Sequence, residues 1–462
     1  MDNWPKITSA VSMDGRSFDY EAEEGTAVMI GDVFSLAVPG DRAVLVQIRS
    51  KERGRGQRVR GAGTVVGALA EGRLTPISPE PFSSSAFAEV GEDVIQTIAS
   101  SESGPVLALG SALGRGFPGL VRAEGFNRHT FLCGQSGSGK TYALGVILER
   151  LLMETDLRLI VLDPNADFVN LQTLRADASS DLAEGLAAVQ RSVRVFRATG
   201  GGDPLRLPFG ELSAQAQAGL LRLDPIANRE EYNVLLHFET SGTPSSGQAL
   251  LERLHAAGPE ARGLALRIEN LGVLGWAIWA RGGPSVLDAL RSRPRAAVLD
   301  LGGFETPVER SLAAVAVLDD LWARREEREP CLLVIDEAHN ICPTEPTEPL
   351  QALATERLVQ IAGEGRKFGL WLLLASQRPS KIHPQVLSQC DNLVLMRMNS
   401  PGDLDELARV FGFAPPSMLR EAPSFAKGEA LLAGMFAIVP TVTRIGGRLT
   451  PEGGSDLEVP LS

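Results

Sequence analysis

The 462 residues carry 45 basic and 57 acidic side chains, a net charge of −12, and 44% apolar residues. That balance belongs to a globular chain long enough for two or three domains; it excludes a disordered polymer and a uniformly basic nucleic-acid coat, though not a local basic channel. No run approaches the roughly 18 apolar residues of a membrane span, the most lipid-like piece, Leu271 to Ala280, being far too short, and Met1 to Pro5 lacks a signal-peptide head.

Residues 1–95 alternate in short runs, Thr26 to Ile30, Val44 to Arg49 and Val59 to Val66, with a turn at Pro39-Gly40-Asp41. Short strands at this spacing predict a small β-barrel or sandwich. Lys51, Arg53, Arg55, Arg58 and Arg60, with Gly54 and Gly56 between them, read as a solvated hairpin tip or as a contact for nucleic acid or a partner. From roughly 120 onward the pattern changes to strands alternating with helices, the mark of a mostly parallel α/β sheet, and 96–204 is read as its first part. Fully apolar runs, expected where both faces of a strand are covered, occur at His129–Cys133 and Leu159–Leu162. Residues 205–292 are rich in Ala and Leu at helical spacing (Leu250, Leu251, Leu254; Leu264, Ile268, Leu271), around a polar loop at Thr240 to Gly247. This predicts a helical insertion. Residues 293–424 return to apolar runs at Ala296–Leu301, Leu332–Ile335, Leu370–Ala375 and Leu393–Met396, and 425–462 form a strand-like, Gly/Pro-rich tail. Cys133, Cys331, Cys342 and Cys390 lack metal-ligand spacing and read as buried thiols, which fits a cytoplasmic protein.

Gly134-Gln135-Ser136-Gly137-Ser138-Gly139-Lys140-Thr141 fits G-x-x-x-x-G-K-[ST] in full. The strand Thr130 to Cys133 precedes it, and Leu144, Ile147, Leu148, Leu151 and Leu152 follow on one helical face. Strand, glycine-rich turn and helix start aim backbone N–H groups at phosphate, so ATP is the expected ligand. Lys140 is expected at the β and γ phosphates and Thr141 on Mg²⁺. The run Cys331 to Ile335 ends in Asp336-Glu337, which places Asp336 to hold a water of the Mg²⁺ shell and Glu337 to polarise the attacking water. Gln377, after Leu370 to Ser376, is expected to sense the γ-phosphate from the adjacent strand. Arg366, in Gly363 to Gly369, is either a structural cation or one that reaches a neighbouring subunit's nucleotide. Asp163 ends another strand at the sheet edge where ligands sit. His339 reads as a supporting residue, since no other His or Cys lies at ligand spacing.

The order of these motifs, with Asp163-Pro164-x-x-x-Phe168, Ile335-Asp336-Glu337-Ala338-His339-Asn340 and Ser376-Gln377-Arg378-Pro379-Ser380, resembles the HerA/FtsK superfamily, and most nearly its HerA DNA-translocase branch. The resemblance covers nearly the whole chain. It implies a RecA-like P-loop core with an N-terminal β-barrel, a helical insertion and, from Lys427-Gly428-Glu429-Ala430, a C-terminal brace. It further implies a homohexamer with double-stranded DNA in its pore, ATP and Mg²⁺ as cofactors, and a separate effector enzyme, either a nuclease for DNA ends or an anti-phage defence effector. Carried onto this chain, the family pattern gives Glu337 the catalytic role, makes Arg366 a finger acting in trans and adds Arg128 as a second phosphate contact. Arg194, Arg197 and Arg206 are candidate pore residues. One departure stands out: relatives usually read Asp-Pro-His-Gly-Glu before Tyr or Phe, whereas this chain has Asn165-Ala166-Asp167 before Phe168. The alternative from another class is an ATP-binding ring that scaffolds an effector with little translocation. Asp336-Glu337-Ala338-His339 also spells the box of another helicase superfamily, but its Arg-rich motif in a second motor domain is missing; an ABC-type ATPase would need a Ser-Gly-Gly signature upstream of the acid, also absent.

Overall fold

Polar and apolar residues alternate along the first strands, so each lends one face to a core. The computed structural model describes residues 7–23, 28–39, 42–53, 58–70, 73–77, 79–100, 104–113, 118–178, 180–238 and 247–453. In chain order the elements begin β1 (Ile7–Ser12), β2 (Ser17–Ala22), β3 (Val33–Val38), β4 (Arg42–Ile48), β5 (Glu52–Arg53), β6 (Val59–Ala70), β7 (Arg73–Thr75), β8 (Phe82–Ser84) and β9 (Phe87–Glu89). There follow α1 (Glu92–Ser100), β10 (Val106–Ala112), β11 (Pro118–Arg122), β12 (His129–Cys133), α2 (Lys140–Glu154), β13 (Arg158–Asp163), α3 (Ser180–Gln190), β14 (Val193–Arg197) and β15 (Asp203–Pro204). Helices α4 (Ala214–Leu220), α5 (Arg229–Phe238), α6 (Gly247–Ala256), α7 (Pro259–Leu271) and α8 (Val286–Arg291) come next. Then come β16 (Ala296–Asp300), α9 (Pro307–Ala323), β17 (Cys331–Ile335), α10 (Pro349–Glu364), β18 (Leu370–Ser376), α11 (Pro384–Leu387) and β19 (Cys390–Met396). The last are α12 (Pro401–Val410), α13 (Pro416–Leu419), β20 (Glu429–Gly434) and β21 (Thr441–Ile445). None of the described helices is long and apolar enough to cross a membrane.

The chain divides into two compact units, the first formed by 1–155 and 391–447, the second by 156–390 and 448–462. In the first unit, an antiparallel sheet runs β8-β1-β2-β6-β4-β3-β9. It nearly closes on itself, because Ser84 Oγ donates to the Ala37 carbonyl (2.6 Å) and the Ala37 N–H to the Ala86 carbonyl (3.1 Å). Phe18, Tyr20, Phe34, Leu36, Val46 and Ile48 fill its interior. On the other face Val33 and Leu45 pack against Ile95 and Ile98 of α1, so β4 is buried on both sides. The stretch Val28 to Ile30, part of the run expected as a strand, is irregular. The other sheet strands of this unit run β11-β10-β21-β20-β19, antiparallel, with β12 beside β19.

Helix α2 departs from the one-sided pattern. Its residues from Ala143 to Leu152 are buried all round, Glu149 and Arg150 included. The Arg150 guanidinium donates to the carbonyls of Ala108 (3.2 Å) and Gly447 (2.9 Å) and stands 3.9 Å from the buried Glu149 carboxylate, which is how a cation is tolerated there.

The second unit has a parallel sheet, β18-β17-β13-β16-β14-β15. β13, β16 and β17 are buried along their whole length, as their unbroken apolar sequences require. Helices α4 to α8 intervene between β15 and β16; Leu254, Ala261, Leu264 and Ile268 give α6 and α7 a buried seam. The four cysteines are buried and none is in a disulfide. Burial pushes the Cys331 thiol up to about 11 and Cys342 to about 12, and raises Cys133 well above the usual thiol range.

Candidate nucleotide site

In the first unit, β12 delivers the chain to Gly134 fully buried. A Cβ at Gly134 would stand 2.7 Å from Met396 Cβ, so only glycine lets the turn leave the strand here. The Ser138 N–H donates back to the Gln135 carbonyl (3.1 Å), folding the loop over itself. Its outer side is tied down by three neighbours: Gln135 N–H to the Arg397 carbonyl (2.9 Å), Asn399 N–H to Gln135 Oε1 (3.0 Å), and Gly428 N–H to the Ser138 carbonyl (2.8 Å). Gly139 then takes a left-handed conformation (φ 97°) as the residue before α2, where a side chain would be strained.

No side chain caps α2. The first N–H groups of a 15-residue helix therefore point outward with their dipole, beside Gly137, over which there is open space, and beside Lys140, which is 6% exposed. This donor set fits a polyphosphate, and the half-buried Thr141 hydroxyl fits a divalent cation bound with it.

In the second unit, the acids stand at the carboxyl ends of adjacent strands. Asp336 follows β17 and Asp163 ends its neighbour β13; both are fully buried, and the Asp336 N–H donates to the Leu162 carbonyl (3.1 Å). The Asp163 carboxylate receives the N–H groups of Asn165 (3.3 Å), Asp167 (3.0 Å) and Phe168 (2.8 Å) from the loop that follows it. Burial pushes its pKa up to about 7; the N–H groups of Phe168 and Asp167 pull against that, and the charges of Asp167 and Asp336 add to it.

Glu337 is left-handed (φ 45°), a conformation that costs a non-glycine residue on the order of 1–2 kcal/mol. One carboxylate oxygen is hydrogen-bonded and the other lies against an imidazole. Gln377 Nε2 donates to Oε1 (3.0 Å), and His339 Nδ1 lies 3.3 Å from Oε2. His339 Nδ1 is also 3.1 Å from Ser376 Oγ, which in turn accepts the Arg378 N–H (3.0 Å). The fold thus brings Asp163, Asp336, Glu337 and Gln377 to one edge of the parallel sheet. His339 lies between Glu337 and Ser376; Ser376 was invisible as a partner in sequence, since a serine at a strand end carries no signal of its own.

The cations fall elsewhere. Arg128 precedes β12 and lies 4.0 Å from Asp391, so it is separated from the P-loop by the length of that strand, about 16 Å. Arg366 precedes β18 while Gln377 follows it, about 23 Å of extended chain away. Arg194 pairs with Asp203 (2.8 Å), Arg197 with Asp300 (3.4 Å), and Arg206 donates to the Ala198 carbonyl (2.9 Å). In the N-terminal basic cluster, Arg58 and Arg60 both meet Glu21 (3.3 and 2.6 Å), and Lys51 donates to the Val28 carbonyl (2.8 Å). Gly54, Arg55 and Gly56, the turn at Gly40-Asp41, Thr26 and Ala27, the loop from Thr240 to Ser246 and the end of the tail lie outside the described residues.

Residues 107–253 match the family model described as Helicase HerA, central domain. The chain is 32% identical to a probable helicase of Methanocaldococcus jannaschii over 32% of its own length and 29% of that protein's. To the DNA double-strand break repair helicase HerA of Pyrococcus furiosus it is 23% identical over 69% of its length and 65% of the relative's. It therefore spans less than two thirds of either relative. Among solved structures, VirB4 of Thermoanaerobacter pseudethanolicus superposes with a TM-score of 0.53 at 15% identity, covering 75% of this chain and 97% of that one. The bacterial conjugative coupling protein TrwBdeltaN70 gives 0.50 at 13% identity, covering 79% and 94%.

Proposed function

We propose, from the premise that this chain is a HerA-like P-loop ATPase, that it hydrolyses ATP and spends the energy moving along double-stranded DNA. The observation that carries the reading is the P-loop itself: a complete motif at the uncapped start of a buried helix, inside the stretch that matches the HerA central domain. Gly134 to Lys140 would cradle the phosphates and Lys140 would neutralise them; Thr141 is a residue that would hold Mg²⁺ and Asp336 one that would hold a water of its shell, the ion supplying charge neutralisation when bound. Glu337 is the base that orients and polarises the attacking water. Gln377 holds Glu337 and is the group placed to respond to a γ-phosphate, while Asp163 supports the acid edge next to Asp336.

The working form on this reading is a homohexamer, with Arg366 and Arg128 serving a neighbouring copy's nucleotide, DNA in the pore, and a separate effector enzyme, a nuclease or another defence effector, bound to the assembly. Residues 1–95 are the assembly and partner-contact domain, and 425–462 the brace.

Lys140→Ala should lose nucleotide binding. Glu337→Gln should retain ATP and lower kcat by about 10² or more, since it removes the base while sparing the amide-like contact to Gln377. Binding is read with a fluorescent ATP analogue and turnover by phosphate release, each with and without duplex DNA. Normal turnover in Glu337→Gln would remove the assignment. Turnover in the unaltered chain that ignores duplex DNA across a salt titration would replace translocation with ATP-gated scaffolding.

A further inference from the structure

The stretch 448–453 lies across the loop that follows β13, although some 280 positions separate them in sequence. The Arg175 N–H donates to the Leu449 carbonyl (2.8 Å), the Gly453 N–H to the Asp167 carbonyl (3.1 Å), and Asn170 Nδ2 to the Glu452 carbonyl (3.3 Å). Arg448 is the anchor. Its side chain is 1% exposed, its guanidinium carbon stands 5.7 Å from the Phe168 ring centroid, Nη2 donates to the Asp167 carbonyl (3.3 Å), and Nη1 pairs with Glu452 (3.1 Å). Gly453 approaches so closely that a Cβ there would stand 1.7 Å from the Ala166 carbonyl oxygen.

Burying a guanidinium is costly, and stability alone is a weak reason for one. What Arg448 grips is more informative. Asp167 and Phe168 are the two residues whose N–H groups make the shorter bonds to the Asp163 carboxylate. The same two residues supply the carbonyl and the ring that Arg448 touches. The intervening turn is held with Ala166 left-handed (φ 61°), so it does not set itself. Force on this turn therefore passes from the C-terminal stretch to the acid edge of the sheet.

We propose that 448–453 is a strap and that Arg448 is a positioning residue, acting through Asp167 and Phe168 to fix the Asp163 carboxyl beside Asp336 for ATP turnover. The catalytic part rests on the function proposed above; the strap does not. The two are separated by measuring hydrogen exchange of peptides 164–176 and 307–323 in the full-length chain alongside steady-state ATP hydrolysis. Gly453→Ala breaks the strap sterically and leaves Arg448 in place. Arg448→Met removes the charge at similar bulk, and Arg448→Lys keeps a cation and a donor.

Gly453→Ala and Arg448→Met should speed exchange in 164–176 by about tenfold, leave 307–323 unchanged, and lower kcat about tenfold with KM for ATP within about twofold. Arg448→Lys should recover most of the lost kcat. Unchanged exchange in 164–176 in both disrupting variants would overturn the strap. Faster exchange there with full kcat would overturn the positioning role, as would faster exchange across both peptides with kcat lost equally in Arg448→Lys. Absence of ATP turnover in the unaltered chain would sink the proposed function, and the exchange data would still decide the strap.

Discussion

Ala166 and Glu337 are both left-handed at the same edge of the sheet, and only Glu337 carries a polar side chain that this conformation aims at partners. At Glu337 the conformation is held by a carboxylate whose two oxygens meet Gln377 and His339, so the strain is the cost of aiming that group. At Ala166 the side chain is a methyl that is only partly buried, and the resemblance to HerA-type sequences places glycine there. The penalty for a Cβ in this region is about 1–2 kcal/mol, and glycine's greater freedom in the unfolded chain returns roughly 0.5–1 kcal/mol of that. Ala166→Gly should therefore stabilise the protein by about 0.5–1 kcal/mol, seen as a higher urea midpoint at unchanged slope. A lower midpoint would show that the methyl makes a contact worth more than the strain.

Helix α9 shows how an element start is fixed by three residues. Thr306 Oγ1 accepts the Glu309 N–H (3.2 Å), and Glu309 Oε2 accepts the Thr306 N–H (3.2 Å), with Pro307 as the first helical residue. Thr306→Ala removes one half of this exchange. It should cost about 1 kcal/mol locally, which is roughly fivefold faster hydrogen exchange in the first turn of α9; no change there would mean the helix start is set by packing instead. Elements of this kind were legible in the sequence: the runs at His129, Leu159, Ala296, Leu332, Leu370 and Leu393 are β12, β13, β16, β17, β18 and β19. Burial on both faces writes itself as an unbroken apolar run. β10 was not legible, because Val106 to Ala112 buries only Leu107, Leu109 and Ala112 and includes four small residues in seven. Nor was the surround of α2: its apolar face was plain, but Glu149 and Arg150 look like solvent positions until the carbonyls of Ala108 and Gly447 are found beside Arg150. Within the site, the residues with a motif were legible. The Arg448 contacts were not, since nothing local in 448–453 indicates which loop it will meet.

At the scale of the whole molecule, the placement of the cations is the argument for more than one copy. Arg366 stands before β18 and Gln377 after it, and Arg128 stands before β12 with the P-loop after it. Each strand thus holds its arginine at the amino end and the group proposed to meet phosphate at the carboxyl end, roughly 16–23 Å apart. An arginine that stabilises transition-state charge must lie within contact of the phosphate, which no side chain achieves over that span. In the proposed hexamer the neighbour's arginine closes the gap, and six copies of 49.3 kDa give a mass of about 296 kDa. The test is complementation. Lys140→Ala and Arg366→Ala should each be inactive alone, the second with ATP binding intact. Mixed one to one and reassembled, they should recover about one quarter of full turnover, because a quarter of randomly formed interfaces join an intact P-loop to an intact Arg366. An arginine acting within its own chain gives no recovery, since every site in the mixture then lacks either its lysine or its arginine. A native mass of 49.3 kDa with ATP and Mg²⁺ present would remove the shared site altogether and leave the distance between Arg366 and Gln377 as a sign that Arg366 plays no part in turnover.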